Sequence, residues 1–210
     1  MTAALAQLLP PLALRRTWGR TTGARRWIAY WCVAFFLSDS LQLGLSLTQG
    51  ANLWIFIYIE PLEDALLLWG LSCWQTRPVT RIALRLAIPL VIATYVAIAF
   101  AAGEQNTYKI FSGPFRALVI MLWTAFTLVS NVARTPEGVW NYDWLWTTLG
   151  VLLYFGLLVS TEPVIAAMGI DQIESQRRVY DVRAIGDVIA FMLIWRGMRC
   201  PLPNSSSGST

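Results

Sequence analysis

The stretch Ile59-Glu60-Pro61-Leu62-Glu63-Asp64-Ala65-Leu66-Leu67-Leu68-Trp69 sets three acids and a proline inside a run otherwise apolar enough to cross a bilayer. Glu60, Glu63 and Asp64 stand at i, i+3 and i+4, so a helix gathers all three on one face. Trp54, Tyr58, Leu62, Ala65 and Trp69 fall on the other side, which can meet lipid or a neighbouring helix. A carboxylate costs roughly 2.5–3.5 kcal/mol to insert on translocon scales, and such residues normally face a bundle interior or a wet cavity. The stretch therefore predicts one helix of a membrane bundle with a polar interior.

The rest of the chain agrees. Of 210 residues, 56% are apolar and 13% charged, with a mean hydropathy of +0.53. A soluble domain carries about 25% charged residues, so too little polar surface remains here for a water-facing shell. The apolar residues fall into runs of about 20, the length that spans hydrocarbon as a helix. No alternating segments of barrel type occur, so backbone polar groups must be satisfied within helices. The fold class expected is all-α, a polytopic transmembrane bundle of seven helices with no soluble domain. Six strong spans are read at about 27–48, 53–75, 82–103, 110–131, 144–168 and 183–199. Ahead of them, 1–14 is apolar but spans only about 21 Å as a helix, against roughly 30 Å of hydrocarbon. Pro10-Pro11 interrupts it. It is read as a short first helix, with an interfacial segment as the alternative. Its arginines follow the apolar run, unlike those of a secretory leader. The bundle domain covers 1–200. The charged outer loop Asp171–Val182 is expected to fold against it, and the tail 201–210 ("PLPNSSSGST") to be disordered.

Charge sets the orientation. Eleven basic residues fall on one side: Arg15, Arg16, Arg20, Arg25 and Arg26 before the first strong span, then Arg77, Arg81, Arg85, Arg134, Arg196 and Arg199. Five fall on the other: Lys109, Arg116, Arg177, Arg178 and Arg183. The positive-inside rule places the eleven in the cytosol, with the N-terminus outside and the C-terminus inside. Trp18, Trp27, Trp74, Trp140, Trp144 and Trp195 lie near that face and Trp54 near the other, as an interfacial belt would. The basic balance is thus a topology signal, not one for nucleic acid.

Absent residue types exclude whole chemistries. With no histidine, histidine-ligated zinc, histidine-ligated haem and Ser-His catalysis are out. The single lysine, Lys109, lies in a loop, which leaves no intramembrane amine for a retinal Schiff base. Cys32, Cys73 and Cys200 have no metal spacing and face the cytosol, where thiols stay reduced. No cofactor, metal site or catalytic residue is expected.

Six carboxylates fall within the spans: Asp39, Glu60, Glu63, Asp64, Glu162 and Asp187. At 1.5 Å per residue from the outer ends, Asp187 lies about 6 Å down, Arg116 about 9 Å and Glu60 about 10 Å. Glu162 follows at about 12 Å, Asp39 at about 13 Å and Asp64 at about 16 Å. Five helices therefore place charge in one outer band. The inner stretches "WIAYWCVAFF", "LLLWGLSCW" and "AFMLIW" offer almost no polar groups. The pattern describes an outward-facing polar pocket over an apolar floor, with Glu60, Glu63, Asp64, Arg116, Glu162, Asp187 and Asp39 as its ligand-binding residues. Glu60-Pro61 and Glu162-Pro163 repeat one dipeptide at similar depth. Each proline frees the carbonyl four residues earlier, at Ile57 and Val159. Carboxylates beside freed carbonyls suit a cation, a water cluster or a ligand amine. Arg116 is the natural counter-charge between Glu60 and Glu162, and Arg183 stands one turn from Asp187. The competing reading makes these groups interhelical glue, worth about 0.6 kcal/mol on average in measured cases.

The segments "NLWIFIYIEPLEDALLLW", "DWLWTTLGVLLYFGLL" and "DVRAIGDVIAFMLIWRGM" resemble, in layout, small uncharacterised bacterial seven-helix integral membrane proteins. The resemblance implies a bacterial inner-membrane location and brings no catalytic residue with it. Three function classes compete. A binding or sensing module, or a scaffold for a membrane partner or second copy, fits an outward pocket with a closed inner half. A small transporter would use the two Glu-Pro helices, three spans apart as in an inverted repeat, yet both acids lie in the outer half. An intramembrane hydrolase is the weakest: "NYD" at 141–143 and "IGD" at 185–187 put their aspartates at opposite surfaces, whereas a shared-proton dyad needs about 3 Å.

Overall fold

The computed structural model describes residues 2–49, 54–104, 109–135, 138–168 and 173–201. Among these every regular element is helical. Two short helices, α1 (Thr2–Ala6) and α2 (Leu9–Leu14), precede six long ones: α3 (Gly23–Gln49), α4 (Trp54–Cys73), α5 (Pro78–Ala101), α6 (Ser112–Val132), α7 (Asp143–Ala167) and α8 (Ile173–Arg199). The long helices pack in chain order from α3 to α8, and α1 and α2 close the ring against α8 and α3.

Four helices are long and apolar enough to cross a membrane: Gly23–Leu45 within α3, all of α5 and α6, and Asp143–Ile165 within α7. The two remaining long helices are more heavily charged. Helix α4 holds Glu60, Glu63 and Asp64, and α8 holds Arg183 and Asp187. Outward side chains are apolar: Leu86, Leu90 and Leu122 are 70%, 68% and 71% exposed, with Leu62 and Val129 beside them in character. A continuous apolar exterior of this kind suits hydrocarbon rather than water.

Four boundaries differ from the sequence reading by several residues, one of them the start of α3 at Gly23 rather than 27. The first segment is not one helix: a turn at Gln7-Leu8 divides it, and α2 restarts with Pro10 in its first turn. Prolines are accommodated there because the first helical N–H groups have no intrahelical acceptor. Helix α8 starts at Ile173, so most of the loop expected at Asp171–Val182 is helical. Hydropathy ends a span where charge begins, but the helix runs on through polar residues, supported by an i,i+4 pair of Glu174 and Arg178 at 2.8 Å. Helix α5 likewise starts at Pro78, four residues early, since proline at N1 is preset for helix. Asp171, the tail beyond Pro201 and the Trp54 side chain lie outside the described residues.

The core is aromatic where α3, α7 and α8 meet. Phe191 stacks on Trp31 and Phe35 at 5.9 and 6.1 Å, and Phe35 meets Tyr154 edge-on at 5.4 Å. Leu67, Leu68, Leu71, Ile120, Val151 and Ile194 extend it, all fully buried. The inner half is less purely apolar than expected. Thr124, Thr127 and Thr148 are buried there, and each donates to a carbonyl of its own helix, which satisfies the hydroxyl locally. Gln75 also donates to Thr127 Oγ1 at 2.9 Å, joining α4 to α6. At that same end Arg25 Nε meets Asp143 at 2.7 Å, tying α3 to α7.

Candidate functional site

Six of the seven predicted site residues, Asp39, Glu60, Glu63, Arg116, Glu162 and Asp187, line a single cavity of about 540 Å³. They come from α3, α4, α6, α7 and α8, and Gln7 at the α1–α2 turn completes the wall. The seventh, Asp64, is buried behind Arg116. Phe35, Tyr154 and Leu158 supply the apolar side, continuous with the aromatic core.

Arg116 is the hub. Its Nε donates to both Asp64 oxygens at 2.8 and 2.9 Å, its Nη1 lies 3.1 Å from Glu60 Oε1, and its Nη2 lies 3.7 Å from Glu63 Oε2. The i, i+3, i+4 face of α4 thus converges on one guanidinium, whose planar fork of donors suits several carboxylates at once. The expected bridge from Arg116 to Glu162 is not formed. Glu162 takes part in none of these pairs, because the α4 acids occupy every edge of the guanidinium.

Glu60 has a second cation. Lys109 Nζ reaches its Oε2 at 2.6 Å, and Tyr95 Oη donates to the same oxygen at 2.5 Å. Lys109 also donates to Tyr95 Oη at 2.9 Å. Burial holds the Lys109 ammonium below the ordinary lysine range, with Glu60 pulling the other way. Glu63 accepts from Ser38 Oγ at 2.5 Å, which ties α4 to α3. These partners were missed. Lys109 reads as a loop residue, and Ser38 and Tyr95 as ordinary members of apolar helices. One signal was available for the two helical residues: Ser38 and Tyr95 each stand at about the same depth as a carboxylate on a neighbouring helix.

The other acids are held differently. Asp39 accepts from Gln7 Nε2 at 2.6 Å, so the short first segment docks on the site. Asp187 lies 3.9 Å from Arg183, an i,i+4 neighbour. Glu162 sits over the start of α6, where a Cβ on Gly113 would come within 2.8 Å of its Oε2. The positive end of a helix favours a carboxylate there. A buried acid missed by the sequence reading, Glu104, caps the same terminus by accepting from the N–H groups of Phe111 and Ser112 at 2.7 and 3.1 Å. Asp143 pairs with Arg25 in the other half of the molecule, so it and Asp187 share no site.

Three buried acceptor oxygens of the cavity residues have no hydrogen-bond donor among the described residues: Gln7 Oε1, Glu162 Oε2 and Asp187 Oδ1. Six acids line the cavity, Asp181 being the sixth beside those named, against the cations Lys109, Arg116 and Arg183. No protein-family model, curated protein or solved structure matches the chain.

Proposed function

We propose that this chain is a multi-pass protein of the bacterial inner membrane that binds a small organic cation in an outward-facing cavity, as a sensing or binding module. The observation carrying this reading is the sign of what is unsatisfied. The orphaned groups of the cavity are acceptors, and its acids outnumber its cations six to three. A buried acceptor without a donor costs about 1–3 kcal/mol. A ligand bearing N–H donors and positive charge meets both the hydrogen-bond deficit and the charge imbalance. About 540 Å³ lies within the usual range for a small-molecule site, and Phe35 and Tyr154 place aromatic rings in its wall.

Glu162 separates function from stability. It holds an orphaned oxygen and takes no part in the Arg116 network. Glu162→Gln should leave the melting temperature in detergent within a degree or two of wild type, as for substitutions that break no buried pair. The same change should weaken an amine ligand by about tenfold, the scale of one charge-assisted hydrogen bond. Calorimetric titration with a panel of primary and quaternary amines, with size-matched carboxylic acids as controls, is the measurement. Tighter binding of the acids, or amine binding indifferent to Glu162→Gln, would sink the reading.

The seven-span topology, with the N-terminus outside and the C-terminus in the cytosol, rests on the eleven-to-five distribution of basic residues. Gly23 is a good reporter, because a Cβ there meets nothing within 4 Å. In a Cys73→Ser, Cys200→Ser background, Gly23→Cys should resist a membrane-impermeant maleimide in intact cells and react once the cells are opened. Labelling in intact cells would reverse the orientation and turn the cavity to the cytosol.

A further inference from the structure

A second cavity, of about 1020 Å³, lies in the opposite, basic half, between the start of α3, the end of α4 and the starts of α5 and α7. Arg81 and Arg85 of α5 line it, with Trp74, Asn141, Tyr142 and Thr22. The arginines stand at i and i+4, an arrangement in which like charges repel. Both side chains are held in place by neutral groups. Arg81 grips the Gln75 carbonyl through Nε and Nη2 at 3.2 and 2.6 Å. Arg85 lies 4.3 Å over the Trp69 ring, and donates to Ser72 Oγ at 3.1 Å and Cys73 Sγ at 3.4 Å.

Neither guanidinium has a carboxylate within 4.0 Å among the described residues. Asp143, an acid lining this cavity, is taken by Arg25 at 2.7 Å. The cavity therefore keeps two positioned, uncompensated cations beside aromatic walls. We infer that it is a binding site for a phosphate group, which Arg81 and Arg85 engage with the donors not used on the protein. Guanidinium suits phosphate because its planar fork matches two oxygens at once. Basic pockets between membrane helices on the cytoplasmic side recognise lipid headgroups through the same chemistry. Trp74 and Tyr142 would then border the glycerol or a nucleoside portion of the ligand.

The test uses the purified full-length chain in neutral detergent. Native mass spectrometry should show phosphatidylglycerol bound about tenfold more tightly than diacylglycerol, which lacks the phosphate, the scale of one charge-assisted bond. Arg81→Gln/Arg85→Gln should abolish that preference. Arg16→Gln/Arg20→Gln removes equal charge from two exposed residues of the same half and should leave it intact. Displacement of the lipid by millimolar inorganic phosphate marks a soluble phosphate ligand as the source, and retention marks a lipid headgroup; either supports the site. The inference is overturned if wild type shows neither the lipid preference nor phosphate binding, or if the two double variants behave alike. Should the Arg81/Arg85 variant fail to fold, wild type crosslinked to a headgroup-photoactivatable phosphatidylglycerol decides: adducts at Trp74 or Tyr142 support the site, and adducts only elsewhere overturn it.

Discussion

Arg116→Gln is expected to destabilise the bundle by about 3–5 kcal/mol, the cost of removing one partner from a buried ion pair. The structure sets it apart from the acids it serves. Glu60, Glu63 and Asp64 all lie within 4.0 Å of its guanidinium, and the Glu63 and Asp64 residues are only 1% and 2% exposed. Without Arg116 the whole charged face of α4 loses its common counter-ion. Glu60→Gln should cost less, because Lys109 and Tyr95 remain as partners for each other and the Arg116 contacts to Asp64 and Glu63 survive. Adding Glu63→Gln and Asp64→Asn to the Arg116 variant should recover much of the loss, since Glu60 keeps Lys109 and removing both sides of a buried ion pair is often near neutral. Denaturant unfolding in detergent micelles measures each step. Strictly additive losses, as for groups far apart, would mean that these side chains do not share one network.

How much of this was legible beforehand depends on what kind of signal each feature leaves in one dimension. The α4 face was readable because i, i+3, i+4 is a local geometry, true of any helix that contains those residues. The common depth of Asp39, Glu60, Arg116, Glu162 and Asp187 was readable too, because a membrane span gives residue number a spatial meaning that a soluble fold does not. Pairing was not readable. Depth places a residue along the bundle axis but leaves its rotation free, so it cannot say that Arg116 turns to the α4 acids and away from Glu162. Lys109 was hidden for a different reason: a loop residue has no depth to count, and its long stem brings the ammonium 2.6 Å from Glu60. The early start of α8 was hidden because hydropathy reports what a residue sits in, and not whether the helix continues. Gln7 was lost because the interruption of the first segment was read at Pro10-Pro11, whereas the break comes after Ala6, beside the residue whose side chain reaches Asp39.

Gly150→Leu should be the most damaging substitution outside the charged network, because it attacks a point where α7 and α8 meet backbone to backbone. A Cβ at Gly150 would lie 2.5 Å from the Ala190 carbonyl oxygen and 3.2 Å from the Ile194 nitrogen, both of them α8 backbone. Backbone cannot rotate away as a side chain can, so even Gly150→Ala must push α7 and α8 apart. Overpacking of this kind costs about 1–3 kcal/mol, occasionally more, and leucine should reach or pass the top of that range. Gly186→Ala on the same interface is the discriminating control. The atoms nearest its new methyl all belong to the Leu157 side chain, with Cδ1 closest, and a rotamer change relieves the contact. It should therefore cost less than Gly150→Ala, and Gly23→Ala, with open space around it, almost nothing. The effect reaches the site because α7 carries Tyr154 and Glu162 while α8 carries Arg183 and Asp187, and all four line the acidic cavity. Separating the helices widens the gap between the orphaned oxygens of Glu162 and Asp187, so Gly150→Ala should weaken amine binding while Gly186→Ala spares it. Melting temperature and calorimetric affinity read the two consequences independently. Equal tolerance of alanine at Gly150 and Gly186 would show that α7 and α8 are not in backbone contact at Gly150, and that the cavity does not depend on their close approach.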